Sequence, residues 1–206
     1  MSSSSGRSST PRGPEPSVFM LWALPVGLVA GRLLGGQLDG LADLRFRWAP
    51  LALAGLAVQA VLFTAAGDRL AGEFGPAIYV GSTAIVFVAV LANLRLPGLW
   101  LAALGAASNL AAIVANGGAM PADPGALALA GFSGPGDHTN SIDIAEPALR
   151  PLTDIYAVPA GIPLANVFSV GDVLIAIGVA VAIAATMRSG VGAGSAAGSA
   201  PRPGRG

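Results

Sequence analysis

The sequence predicts an all-α membrane protein, a polytopic bundle of about five transmembrane helices. Only 11% of the 206 residues are charged, whereas soluble proteins carry about 25%. Apolar residues make up 53% of the chain and the mean hydropathy is +0.69, which leaves too little polar surface to cover a water-soluble globule. The apolar residues also gather into five long runs, as expected of helices that cross a bilayer.

Each run is long enough to span a membrane, for which about 17 to 20 mostly apolar residues are needed. The first run is the shortest and contains Pro25 and Arg32. Together with the arginines before it, this run also has features of a cleaved signal peptide. Because no clear small-x-small cleavage site ends it, an uncleaved helix is the expectation. The five predicted spans are 18–34, 49–66, 76–94, 98–115 and 165–187.

Polar segments flank and divide the membrane domain, which covers residues 18–187. Residues 1–17 are rich in Ser and Pro, and residues 188–206 are rich in Gly, Ala and Ser, so both are expected to be disordered tails. Residues 116–164 form a connection far longer than most helix-helix loops, and such loops are usually functional or disordered. This outer loop carries five acidic residues and a single arginine.

The arginines predict the orientation in the membrane. With five spans, seven arginines fall on the side of the C-terminal tail and four on the side of the N-terminal tail. Since cytoplasmic loops are enriched in basic residues, we predict a bacterial inner-membrane protein with its N-terminal tail outside and its C-terminal tail inside. The seven are Arg32, Arg45, Arg47, Arg95, Arg188, Arg202 and Arg205, and the four are Arg7, Arg12, Arg69 and Arg150.

The composition excludes several classes of function. Basic and acidic residues balance at 11 each, so no overall field favours a nucleic acid partner. The absence of cysteine excludes a thiolate metal site, a cysteine nucleophile and a disulfide framework. No phosphate-binding loop, dinucleotide fingerprint or nucleophile elbow is present, so no cofactor is predicted. His138, with Asp137 and Asp143 nearby, fits a solvated loop better than a metal site.

Residues 36–48 form a shorter connection with a pattern of its own. Leu38, Leu41 and Leu44 are three apart and Trp48 follows them. This spacing is typical of a short amphipathic helix that lies in the membrane interface. A plain solvated linker is the alternative.

Asp172 is the sharpest candidate for a functional residue. A charged group near the bilayer centre costs at least ~2.5–3.5 kcal/mol, and in a span that enters the membrane near residue 166 Asp172 would lie roughly 9 Å deep. Asn109 lies two turns below the outer end of the fourth span, so the two side chains should meet. Ser169 lies one turn above Asp172, and Gly171 allows two helices to approach closely.

These residues predict a polar pocket between spans four and five, open to the outside. Asn116, Gly117 and Gly118 lie at the end of span four and belong to the same predicted pocket. The pocket would bind a ligand or hold catalytic groups. The alternative is structural, with a protonated Asp172 that pairs with Asn109 and joins the two helices.

Short motifs at the ends of these spans resemble an uncharacterised family of small bacterial multi-pass membrane proteins. The motifs are Asn-Gly-Gly-Ala-Met-Pro at 116–121 and Phe-Ser-Val-Gly-Asp-Val-Leu-Ile-Ala-Ile-Gly at 168–178. The resemblance covers residues 18–187. It implies a membrane fold but brings no activity with it.

The last two spans also resemble bacterial signal peptidase II, an intramembrane aspartic enzyme that trims lipoprotein precursors. Gly105 and Asn109 in the fourth span, then Asp154, then Asp172 match its motifs in order. The resemblance implies that Asp154 and Asp172 are catalytic carboxylates and that Asn109 supports them. The Asp-Arg pair that follows Asn-Leu in the enzyme is replaced here by small apolar residues, and the segment before Asp154 is much longer.

Three functions therefore stay open. An accessory or partner-binding protein would need no chemistry, whereas an aspartic hydrolase would need Asp154 and Asp172 within reach of each other. A proton-coupled transporter is the weakest of the three, because the inner halves of the spans offer almost no polar residue besides Gln59. The expected partners are the lipid bilayer and a membrane protein or lipoprotein, and the glycines of the first span permit a homo-oligomer.

Overall fold

The structure, a computed structural model, describes residues 18–132, 141–142 and 146–197, and these residues are mostly helical. The predictions for the N-terminal tail, for the end of the C-terminal tail and for the loop around His138 lie outside the described residues. The described helices are α1 (Ala23–Leu33), α2 (Ala49–Leu62), α3 (Ala65–Ala71), α4 (Gly75–Leu91), α5 (Leu99–Ala115), α6 (Pro124–Ala130) and α7 (Val170–Ala197). The strands are β1 (Met120–Pro121), β2 (Ser141–Ile142), β3 (Tyr156–Val158) and β4 (Asn166–Phe168).

Each predicted span contains one helix, but the helix ends differ from the prediction. The second span ends at Leu62 rather than at 66, because the Thr64 side chain accepts a hydrogen bond from the N–H of Gly67 at 3.0 Å and caps α3. The last span begins at Val170 rather than at 165, because the residues just before it form β4. It continues to Ala197, so the first part of the predicted C-terminal tail is helical.

The predicted amphipathic helix of residues 36–48 is shorter than expected. It is a 3-10 helix that covers only Leu38–Asp43. The N–H of Gln37 donates to the carbonyl of Met187 at 2.9 Å, and Gly40 lies against the backbone of Thr186 and Met187. The connection is therefore held against α7.

Close contacts at glycines fix the relative direction of α1, α5 and α7. Gly27 lies against Ala180, and Gly31 lies against Ala184. Since the numbers rise together along both helices, α1 and α7 are parallel. Gly105 lies against Gly171 whereas Gly98 lies against Gly178, so α5 is antiparallel to α7.

The remaining pairs are also antiparallel. On α2 and α4, Gly55 lies against Val86, and Gln59 Nε2 donates to Thr83 Oγ1 at 3.3 Å. On α4 and α5, the partly buried Val90 packs in the cluster of Leu99, and Tyr79 packs in the cluster of Ala112. The long helices α1, α2, α4, α5 and α7 therefore alternate in direction along the chain, in the spatial order α1–α7–α5–α4–α2.

Because the helices alternate in direction, the described arginines are distributed unequally between the two ends of the bundle. The end of the bundle opposite the 116–169 segment, called here the arginine end, carries five described arginines. The other end carries Arg69 and Arg150. The five are Arg32, Arg45, Arg47, Arg95 and Arg188.

Two helical segments in the described residues are long and apolar enough to cross a membrane. They are Ala66–Leu91, which runs through α3 and α4, and Val170–Ser189 in α7. Shorter apolar helices cover Met20–Leu33, Ala49–Leu62 and Leu99–Ala115. Two of the described helices are therefore long enough to span a membrane, whereas the sequence predicts five such helices.

The outer loop of the sequence analysis is a folded segment where it is described. The described part of residues 116–169 is called the cap. A parallel pair joins β1 to β2, and an antiparallel pair joins β3 to β4. The cap has a small apolar core of its own, formed by Ala122, Ala126, Leu127, Ala130 and Val167.

Candidate functional site

The candidate site lies where the C-terminal half of α5 meets the N-terminus of α7. Ser169 is the residue before α7, and its N–H donates to Asp172 Oδ2 at 2.9 Å. In return, the N–H of Asp172 donates to Ser169 Oγ at 3.1 Å. Such a reciprocal pair is a capping box, which satisfies backbone N–H groups that a helix start leaves open. Asp172 therefore lies in the first turn of α7, because the helix begins at Val170 rather than near residue 166 as predicted.

Asn109 joins this capping box to α5. Its Nδ2 donates to Asp172 Oδ1 at 2.8 Å. Ser169 Oγ lies 2.8 Å from Asn109 Oδ1 and 3.0 Å from Asp172 Oδ2, and its single proton can be donated to either oxygen. The structure thus brings together three residues that the sequence analysis placed in one pocket, and both oxygens of Asp172 accept hydrogen bonds.

Gly171 permits this contact. A Cβ atom at Gly171 would collide with Asn109 Oδ1, and one at Gly105 would collide with the carbonyl of Gly171. Helices packed this closely need small residues at the contact. The Ser-Val-Gly-Asp sequence therefore has a local explanation as a helix cap with a site of close approach.

The second predicted carboxylate, Asp154, lies in the cap and is 5% exposed. Its N–H donates to the carbonyl of Pro121 at 3.0 Å, and its carbonyl accepts from the N–H of Asp123 at 2.9 Å. These bonds form a parallel β-bridge between Ala122 and Asp154. The position of Asp154 is thus fixed by backbone pairing within the cap.

Tyr79 is the residue that the sequence analysis missed. It lies in the second turn of α4 and packs, with Leu152 of the cap, against the cluster of Ala112, Ile113 and Met120. The sequence carried a signal, because Tyr79 is the one residue with an ionisable side chain in the apolar run 76–94. Three chain segments distant in sequence therefore meet at Tyr79, namely α4, the end of α5 and the cap.

Asn116 fastens the cap to α5. Its Oδ1 accepts from the N–H of Ala148 at 2.9 Å, and its Nδ2 donates to the carbonyl of Ala148 at 2.9 Å and to that of Ala112 at 2.8 Å. The side chain thus pairs with one backbone residue through both groups, as a neighbouring strand would. The Asn116 side chain, called here a latch, therefore holds the cap against α5, and its amide group is not open to a ligand.

Gly117 and Gly118 end α5. Both have positive φ, at 72° and 91°. The N–H of Gly118 donates to the carbonyl of Ile113 at 2.8 Å, and that of Gly117 to the carbonyl of Val114 at 3.3 Å. This pattern is a Schellman motif, in which glycine is favoured because it adopts positive φ without strain. The Asn-Gly-Gly motif is therefore explained by a helix end and a latch.

A second polar feature lies on the cap, where a pocket of about 540 Å³ is lined by Asp123, Glu146, Arg150 and Thr153 among others. Asp123 Oδ2 lies 3.0 Å from Arg150 Nη2. The hydrogen bond from Arg150, followed by those from the N–H groups of Ala126 and Gly125, holds the pKa of the Asp123 carboxyl below its usual 3.8. The pocket therefore holds charges of both signs at neutral pH.

The fold and the site define a mostly helical protein with two helices able to cross a membrane and a folded cap beside a buried polar contact. The chain belongs to DUF5317, a family of unknown function, whose family model matches residues 43–184. This match confirms the predicted membership of an uncharacterised family. No curated protein and no solved structure gives a significant match to the chain.

Proposed function

We propose that this protein is a five-span inner-membrane protein that binds a partner or ligand through its cap and has no catalytic role. The observation that carries the proposal is the set of hydrogen bonds among Asn109, Ser169 and Asp172. Both oxygens of the Asp172 carboxyl are used to cap α7 and to hold α5. The partly buried acid then stabilises the bundle, and the more exposed polar groups that a partner could meet are those of the cap.

The exposure of the apolar helices supports a position in a bilayer. In the apolar windows of Ala66–Leu91 and Val170–Ser189, only 11% and 28% of the residues are buried. The core helix of a soluble protein would be mostly buried, and a signal sequence would lie near the N-terminus. The shorter helices also expose large apolar side chains, such as Leu53 at 65% and Trp100 at 61%, and contiguous surfaces of this kind are rare on soluble proteins.

The distribution of arginines supports the orientation. Five described arginines lie at the arginine end and two at the end with the cap. Because basic residues are retained in the cytoplasm, this distribution supports an orientation with the cap outside.

The pocket on the cap is the proposed binding surface. Glu146 is exposed, and Arg150 and Asp123 lie beside it with side chains 67% and 26% exposed. A partner with paired charges, such as a polar segment of another membrane protein or a lipoprotein, would be complementary to this surface.

Cysteine labelling tests the membrane topology, because the chain has no cysteine of its own. Glu146→Cys on the cap should react with a membrane-impermeant maleimide in intact spheroplasts. The matched variant Asp39→Cys, at the arginine end, should react only after permeabilisation. The reverse pattern would overturn the orientation, and equal labelling of both in intact spheroplasts would overturn the membrane placement.

Site-specific photo-crosslinking tests the binding role. A benzophenone amino acid at Glu146, in the pocket, should give an adduct of one discrete mass in living cells. The same group at Glu73, exposed at the same end but outside the pocket, should not. No adduct at Glu146, or the same adduct at both positions, would argue against a binding site on the cap.

An aspartic hydrolase is the second candidate, and one observation favours it. The 150–152 turn, which precedes Asp154, packs against α7, and Leu152 lies in the same cluster as Ala112, three residues after Asn109. Two carboxyl groups that share a proton can act as base toward water and as acid toward a leaving nitrogen. Release of a signal segment from a lipoprotein precursor by purified protein, lost in Asp172→Asn with an unchanged melting temperature, would establish this activity and exclude the non-catalytic proposal.

A further inference from the structure

The outer surface of α1 and α7 contains a groove of about 480 Å³ that the functions above do not use. It is almost entirely apolar and has one charged residue, Arg188. The lining is rich in alanine and also includes larger apolar side chains. The lining residues that matter here are Trp22, Ala30, Leu34, Ala176, Ala180 and Arg188.

The groove follows the two parallel helices. Along α7 it extends from Ala176 to Arg188, and along α1 and the turn before it from Trp22 to Leu34. Twelve residues of helix rise about 18 Å. The half-thickness of a bilayer core is about 15 Å, so the groove has the length of one lipid acyl chain.

Arg188 makes one end of the groove positively charged. It is exposed and lies at the arginine end. Among the residues that the structure describes, no carboxylate forms an ion pair with it. A cation without a counterion at the end of an apolar channel is complementary to an anionic headgroup on an acyl chain, and basic pockets between transmembrane helices bind such headgroups on the cytoplasmic side.

We propose that this groove binds one anionic phospholipid of the inner leaflet. An acyl chain lies along the alanines toward Trp22, and the phosphate lies at Arg188. The inference rests on the membrane placement proposed above, because only a bilayer supplies this ligand with its headgroup at the arginine end.

Fluorescence quenching by brominated lipids tests the site, since Trp22 lies at the far end of the groove. The full chain with Trp48→Phe and Trp100→Phe has Trp22 as its single tryptophan. In vesicles, phosphatidylglycerol with bromine near the chain terminus should quench Trp22 at least twofold more than brominated phosphatidylcholine at the same mole fraction. Arg188→Gln should abolish this difference, whereas Arg188→Lys should keep it.

Arg95→Gln is the matched control, because Arg95 is exposed at the same end but does not line the groove. It should leave the preference for phosphatidylglycerol unchanged. Equal quenching by the two lipids would overturn the lipid site and leave the membrane placement intact. No quenching by either lipid would overturn the membrane placement and the lipid site together.

Discussion

Asn109 links α5 to α7 through a side-chain hydrogen bond. Its amide group donates to Asp172 and lies within hydrogen-bond distance of Ser169. Removal of one partner from a buried polar contact costs about 1–3 kcal/mol, because the other group is left unsatisfied. We expect Asn109→Ala to lower the melting temperature in detergent by several degrees. Gln37→Ala, which removes an exposed amide, is the control, and an equal shift in both variants would contradict the assigned role.

Gly171 has little room for a side chain. A Cβ atom there would collide with Asn109 Oδ1, so Gly171→Ala must break the contact or separate the helices. We expect a marked loss of folded protein, measured by size-exclusion chromatography and thermal unfolding. Gly81→Ala is the control, since Gly81 faces open space in α4 and alanine is favoured over glycine in a helix. If both variants fold equally well, the close approach at Gly171 is not required.

Asp123 gives the cap a small dependence on pH. Its pKa is lowered in the folded state, mainly by the hydrogen bond from Arg150. The stabilisation is therefore complete above the usual value of 3.8 and is lost as the pH falls through the lowered folded value. Because both side chains are partly exposed, it amounts to less than about 1 kcal/mol. The stability difference between wild type and Asp123→Asn should be present at pH 7 and vanish near pH 2, and a difference that persists there would contradict the ion pair.

At the scale of elements, the helices were predictable and their ends were not. The periodicity and length of a long apolar run are enough to predict that a helix is present. The ends depend on single caps, and Thr64 and Ser169 move two of them by several residues. The Ser-x-x-Asp spacing at 169–172 is itself a sequence signature of a capping box, so the true start of α7 was within reach of the sequence.

The candidate site could likewise be predicted only in part. The meeting of Asn109 with Asp172 followed from two antiparallel helices and could be predicted. The positions of Asp154, held by a backbone bridge to Ala122, and of Tyr79 depend on how the cap folds back over the bundle. No periodic pattern encodes such contacts between distant segments.

Two asparagines at helix ends form matching latches. Asn93, after α4, exchanges hydrogen bonds with the N–H and carbonyl of Arg47 at 2.7 and 2.8 Å, as Asn116 does with Ala148. Asn116→Ala should therefore release the cap, seen as faster amide hydrogen exchange in residues 146–150. Asn93→Ala should instead affect the segment around Arg47. If exchange near Ala148 is unchanged in Asn116→Ala, the latch does not hold the cap.

At the scale of the whole molecule, several of the helices are short for an average bilayer. α2 has 14 residues and α5 has 17, which correspond to about 21 and 26 Å against a hydrocarbon core of about 30 Å. A difference between the length of a helix and the thickness of the hydrocarbon core costs fractions of a kcal/mol per Å. We expect a higher melting temperature in bilayers of 14-carbon lipids than in bilayers of 22-carbon lipids. The opposite order would show that the bundle is not matched to a thin membrane.

The position of α1 also has a consequence for biogenesis. α1 packs chiefly on α7, through Gly27 and Gly31, and the ribosome makes α7 only after every other described helix. During translation the glycine face of α1 therefore has no native neighbour until α7 has been made. Closure of the bundle is therefore a late event, and a nascent chain stalled before α7 leaves this face without its partner helix.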